Sequence, residues 1–233
     1  MTGLHIDIWS DIACPWCYVG KRRLEAALRS FPERDAVSIR WRAFELNPGA
    51  ARQTETGPYA ERLAKKYGMS LADAKARLSS LVETARADGV QLDFERIRPG
   101  NTFDAHRVVH FAAERGLQDA VKERFLRGYL SEGEAIGEPD VLVRLAADAG
   151  LAAEELRSLL ASDAHADAVR ADERRAQELG IHGVPFFVLA ERYAISGAQP
   201  VKLFASALRQ AQDELARGSG AFEEGAACGP DGC

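Results

Sequence analysis

The sequence predicts an α/β domain interrupted by a large all-helical insertion. Three observations lead there. The first fifty residues read strand-helix-strand, about 120 residues of helical texture follow, and β texture then returns before a last helix. No βαβα alternation runs through the chain, which argues against a large doubly wound sheet. The boundaries fall at 1–57 for the opening β-α-β, 58–179 for the insertion, 180–217 for the closing β-β-α, and 218–233 for a Gly-rich tail.

Residues 3–9 alternate around Ile6, Ile8 and Trp9 and predict a short strand, with Trp9 in the core. Pro15 then suits a first helical turn, where its missing N–H is no loss, and Val19, Leu24, Ala27 and Leu28 supply an apolar stripe to about residue 30. Lys21, Arg22 and Arg23 on that helix read as a solvated face. "AVSIRWRAFEL" (36–46) has the period of a second strand, parallel to the first. In the insertion, helical periodicity marks 58–68, 70–89, 103–116, 117–133, 139–150 and 165–180, several ending in Gly, with a Ser70/Asp73 capping box. Phe125 and Tyr129 are assigned to core, and "RADERRAQE" (170–178) to a solvated face. "VQLDFERIRPGNT" (90–102) reads as an irregular connection. "VPFFVLA" (184–190), a turn near Glu191, "YAISG" (193–197) and a helix over about 200–216 complete the fold.

The bulk numbers exclude several classes. With 233 residues, 46% hydrophobic and 28% charged, the chain has the composition of a globular protein. A formal charge of −5 argues against a general nucleic-acid binder. No apolar run approaches the ~18 residues of a membrane span, and "MTGLHIDIW" lacks the basic and apolar regions of a signal peptide. A cytoplasmic protein is expected, with neither nucleic acid nor membrane as partner.

Four cysteines are too few for a disulfide scaffold, yet they come in pairs: Cys14/Cys17 and Cys228/Cys233. Cys-Pro-Trp-Cys at a strand-to-helix junction allows three readings: small buried side chains, half of a zinc site, or a redox dithiol. Cys14 falls at the helix start, where orphan N–H groups and the dipole favour a thiolate. A thiol of pKa ~8.5 is ~3% ionised at pH 7 and half ionised at pKa ~7; lost nucleophilicity removes about fivefold of that gain. The larger benefit is that a low-pKa sulfur also leaves readily. Cys14 is thus the expected attacker and Cys17, one turn deeper, the resolver. Trp16 is either an apolar contact for substrate or a core residue.

"FELNP" (44–48), "GNTFDAHR" (100–107) and "GVPFFVLAERYAISGAQP" (183–200), with the C-P-W-C, resemble the FrnE-type thiol:disulfide oxidoreductases of the DsbA-like branch of the thioredoxin superfamily. The resemblance spans about residues 4–208. It implies a thioredoxin fold with a helical insertion, and a cis Val184-Pro185 bond facing the cysteines. Backbone groups of Val184 would hold a substrate strand, and the Pro185 ring would obstruct metal binding, so no metal site is expected. Pro15, Trp16 and Asn101 join the substrate-binding set. Thr102 is either a substrate hydrogen-bond partner or a helix N-cap. His106 and His110, at i and i+4, are assigned ordinary packing or surface roles, as are His5, His165 and His182.

The expected activity is exchange on disulfide-containing or misoxidised proteins, with an unidentified thiol reductant or oxidant as partner. No resident cofactor is implied, and glutathione is eligible as external reductant. The alternatives are a glutathione-dependent small-molecule isomerase or transferase, whose related branches generally carry serine in place of Cys14, and a chaperone-like binding module. "CGPDGC" (228–233) is a strong turn signal that brings Cys228 and Cys233 within disulfide reach. So small a loop stabilises little, which favours a second redox pair.

Overall fold

A computed structural model describes residues 3–51 and 57–219. The terminal pair Cys228 and Cys233 lies outside the described residues. Strands β1 (His5–Ser10), β2 (Ser38–Ala43), β3 (Phe186–Leu189) and β4 (Tyr193–Ser196) form one sheet in the order β2-β1-β3-β4. β1 pairs parallel with β2 and antiparallel with β3, and β3 and β4 form a hairpin. Sandwiched between two strands and covered on both faces, β1 buries every residue after His5.

Helix α1 (Pro15–Arg29) packs with α9 (Val201–Ser219). Gly20 is what lets α1 approach the sheet. A Cβ there would stand 3.0 Å from Cγ of Pro185 and 3.1 Å from Cζ of Phe187. The insertion comprises α2 (Tyr59–Tyr67), α3 (Leu71–Ala87), α4 (Phe103–Ala113), α5 (Gln118–Arg127), α6 (Pro139–Asp148), α7 (Ala153–Leu160) and α8 (Ala166–Glu178). Residues 90–102 are irregular, as expected. The eight-residue α7 falls outside the segments singled out from periodicity, and its N-cap, Ala152, offers no side-chain hydrogen bond. Ser70 does cap α3, its hydroxyl accepting from the Asp73 N–H at 3.1 Å.

The insertion does not stand apart from the sheet. Leu4, Ile6, Ile8, Phe187 and Phe204 share one apolar core with Val108, Phe125, Leu126 and Leu130. Phe125 and Tyr129 are core residues, as read from the sequence.

Two ion clusters, each built around a buried charge, fasten the halves together, and both correct the reading of solvated charges. Lys21 is buried, paired with Glu25 and, at 3.2 Å each, with Asp119 and Glu123 of α5. Arg22 pairs with Glu25 at 2.8 Å and also with Glu123, while Arg23 pairs with Asp88 at 2.8 Å. The charged helical stretch 170–178 likewise turns Asp172 inward. Its carboxylate meets Arg42 at 3.0 Å, His110 at 2.8 Å and the Ala43 N–H at 2.9 Å. Its backbone carbonyl accepts from the Trp9 indole at 2.9 Å. Burying such charges is tolerable only because each is matched.

Candidate active site

The strand β1 ends at Ser10, and Asp11-Ile12-Ala13 turn the chain into α1. Cys14 occupies the N-cap position in extended conformation (φ −97°, ψ 109°), Pro15 follows at the first helical position, and no acid sits in the first turn. The Cys14 N–H bonds Asp11 O at 3.3 Å, and its carbonyl accepts from the Cys17 N–H at 3.0 Å. The local chemistry that suggested a helix start here is therefore the chemistry that forms it.

Both cysteines are free thiols, and their access differs. Cys14, 4% exposed, lines a cavity of about 1120 Å³; Cys17, 1% exposed, does not. The Cys14 sulfhydryl donates to the Val184 carbonyl at 3.5 Å, and the Val184-Pro185 bond is cis. Val184, Pro15 and Trp16 line the same cavity, with Trp16 41% exposed rather than packed in the core. Asn101 does not line it. Its amide instead donates to Glu45 at 3.3 Å, Pro48 O at 3.4 Å and Ala50 O at 3.3 Å, and its oxygen accepts from the Phe103 N–H at 2.8 Å. Asn101 thus shapes the loop beside the cleft and caps α4. Thr102 holds the N-cap position of α4 but makes no side-chain cap bond.

Beneath the cysteines lies a buried polar group of Asp11, His106 and Lys122. Asp11 accepts from the Leu46 N–H at 2.8 Å and the Ala13 N–H at 3.3 Å, and stands 3.4 Å from His106 Nε2. Burial alone would raise the Asp11 carboxyl; His106, the Leu46 N–H and Lys122 outweigh it and hold the acid below its ordinary range. Burial lowers His106 and outweighs the opposing pull of Asp11. Lys122 is 0% exposed, donates to Ser10 O at 3.2 Å and rests over the Trp41 ring at 5.5 Å. Its burial presses the ammonium down to about 8.

The two thiols titrate as one unit. The Cys17 sulfur and burial push Cys14 well above the ordinary thiol range. Burial also raises Cys17, but the Cys14 thiol, the Ser10 hydroxyl and the Lys122 ammonium outweigh it and favour a thiolate there. This corrects the expectation of a low-pKa Cys14: the helix N-terminus is present, yet the Cys17 sulfur and burial raise the thiol that stands there.

The DSBA-like thioredoxin domain family matches this chain over residues 5–209. The chain belongs to that family. It is similar to a probable DsbA oxidoreductase from Streptomyces coelicolor, at 46% identity and a TM-score of 0.85, over 99% of this chain and 98% of that one. It is also similar to an uncharacterised Bacillus subtilis protein, YwbO, at 28% identity over 90% of this chain and 98% of that protein. The cytosolic disulfide reductase DsbM from Pseudomonas aeruginosa shares the fold, with a TM-score of 0.59 at 22% identity over 91% of this chain and 99% of that one. The four-stranded sheet with its helical insertion is accordingly a DsbA-like thioredoxin fold. Among the described residues, no helix is long and apolar enough to cross a membrane.

Three buried polar residues grouped beside the cysteines were not singled out as functional from the sequence: Asp11, Lys122 and His106. For Lys122 a signal existed. Gln118, Val121, Phe125 and Leu126 form the buried stripe of α5, and Lys122 falls on it.

Proposed function

We propose that the protein is a cytosolic thiol:disulfide oxidoreductase and isomerase of the FrnE type acting on protein disulfides. The observation that carries this reading is the division of labour between two neighbouring sulfurs. Cys14 opens on a cavity beside the Val184 carbonyl, and Cys17 is sealed behind it next to Lys122.

A substrate strand that hydrogen-bonds the Val184 backbone displaces the Cys14 S–H from that carbonyl. The proton passes to the Cys17 thiolate, and the Cys14 thiolate attacks one sulfur of the substrate disulfide. The substrate S–S bond breaks, its second sulfur leaves as thiolate and is protonated by solvent, and a Cys14–substrate mixed disulfide remains. Cys17 loses that proton again to the neutral form of Lys122, about a tenth of the population at pH 7 for a pKa near 8, or to solvent. Cys17 then attacks Cys14, releasing the reduced substrate. An external thiol such as glutathione returns the Cys14–Cys17 disulfide to dithiol. In isomerisation, a substrate thiol resolves the mixed disulfide instead. Pro15 and Trp16 flank the attacked sulfur, and Asn101 acts by holding the neighbouring loop. The Cys228/Cys233 pair supplies a second dithiol to the first.

Cys17→Ser tests the reading. It leaves the attacking sulfur in place and removes the resolver, so mixed disulfides with proteins should accumulate on Cys14 in cell extract. They should be released by dithiothreitol and be absent from Cys14→Ser/Cys17→Ser. Extract proteins captured equally by the double variant would defeat the assignment.

A further inference from the structure

The exchange cavity has a second wall whose charge the chemistry above does not use. Arg62, Lys65 and Lys66 of α2 and Arg77 of α3 line the same cavity as Cys14 and Val184. Among the described residues, its one acidic lining residue is Asp11, already committed to two backbone N–H groups and His106. The acids of α2 and α3, Glu61, Asp73 and Glu83, do not line the cavity, and neither do the α3 cations Lys75 and Arg86. Asp73 is engaged with Ser70 at 2.7 Å. Among the described residues, Lys65 and Arg77 make no salt bridge, and Lys66 lies over the Tyr67 ring at 5.7 Å. All this occurs in a chain of net charge −5.

From this juxtaposition we infer that the α2–α3 wall is a carboxylate-recognising subsite, selecting disulfides that carry acidic groups next to the sulfur. The inference rests on the exchange reading for its reaction, and on the cavity for its geometry. A concave site walled by cations focuses its field and raises the local concentration of anions. At about 1120 Å³ the cavity is at the upper end of small-molecule sites, so it admits either a tripeptide-sized anionic disulfide or a short acidic stretch of polypeptide. Both present the same chemistry, a sulfur flanked by carboxylates. Arg and Lys divide the work: Arg offers a planar fork for a carboxylate, Lys a mobile point charge.

The test uses model disulfides matched except for flanking Glu, Gln or Lys, each as a tripeptide-sized molecule and as a loop of a carrier protein. Reduction rates are read at low salt and at ~0.15 M, where the Debye length is ~8 Å. The acidic probe should react about tenfold faster than the neutral one at low salt, and the basic probe about tenfold slower, with the spread shrinking as salt rises. In Lys65→Gln/Lys66→Gln/Arg77→Gln the acidic-to-neutral ratio should fall toward one. Preference confined to the small probe or to the protein loop supports the subsite and names its source.

A parallel arm measures fluorescence anisotropy of the same peptides, as thioethers, on Cys14→Ser/Cys17→Ser. Acidic peptides should bind best there too, and lose that advantage with the three glutamines. Equal rates and equal binding for Glu, Gln and Lys probes would overturn the subsite, as would a preference the triple substitution leaves intact. Charge-selective binding without reduction of any probe would uphold the subsite and defeat the exchange reading.

Discussion

Cys14→Ser should lower disulfide reduction and isomerisation by at least about 10³-fold, to the level of the uncatalysed reaction. A serine hydroxyl cannot form the mixed disulfide, and Cys17 is too enclosed to replace it: it does not line the cavity that Cys14 opens on. The substitution conserves shape and leaves a donor facing the Val184 carbonyl. The change in stability should therefore stay within about 1 kcal/mol. Insulin reduction and scrambled-ribonuclease reactivation, set beside a thermal melt, measure both quantities. Residual exchange within tenfold of the parent would mean that another sulfur does the work.

The second large effect concerns Lys122. Its ammonium is destabilised by burial, from 10.5 to about 8, a difference of about 3 kcal/mol against the charged form. Between those two values the unfolded chain holds a proton that the folded protein has released, so native stability rises with pH across that window. Lys122→Met keeps the length of the side chain and removes the charge. The variant should exceed the parent by up to about 3 kcal/mol at pH 7, less the bond to Ser10 O, with the advantage fading as pH approaches 10.5. Denaturant unfolding of the reduced proteins at several pH values checks this. The gain comes with a functional loss. Lys122 favours the Cys17 thiolate, so the variant's dithiol should ionise at higher pH and exchange more slowly at pH 7. A less stable variant at pH 7, or unchanged thiol titration, would refute this role.

The features legible in the sequence are those set by local pattern. Pro15 and the cysteine spacing mark the start of α1, Ser70 with Asp73 marks the start of α3, alternation marks β1 and β2, and β texture around a turn marks the β3–β4 hairpin. What escaped is decided by partners far along the chain. Lys21 looks like one of three surface cations until Asp119 and Glu123 come against it from α5. Asp172 sits in a run of charges, and only the fold brings Arg42, His110 and the Ala43 N–H to it. The expected fall in the Cys14 pKa illustrates the same limit. The helix start was readable; the enclosure of the sulfur and the cation behind Cys17 were not.

Central to the account is a single accessible sulfur, Cys14, which draws its charge from a pair whose first ionisation Lys122 favours. Site-resolved alkylation tests this most directly. The reduced protein is treated briefly with iodoacetamide between about pH 5 and 10, and modification at Cys14 and Cys17 is quantified separately by mass spectrometry. Cys14, which opens on the cavity, should be labelled at least about tenfold faster than the enclosed Cys17 across that range. Labelling of Cys17 first, or of both sulfurs at equal rates, would contradict the account.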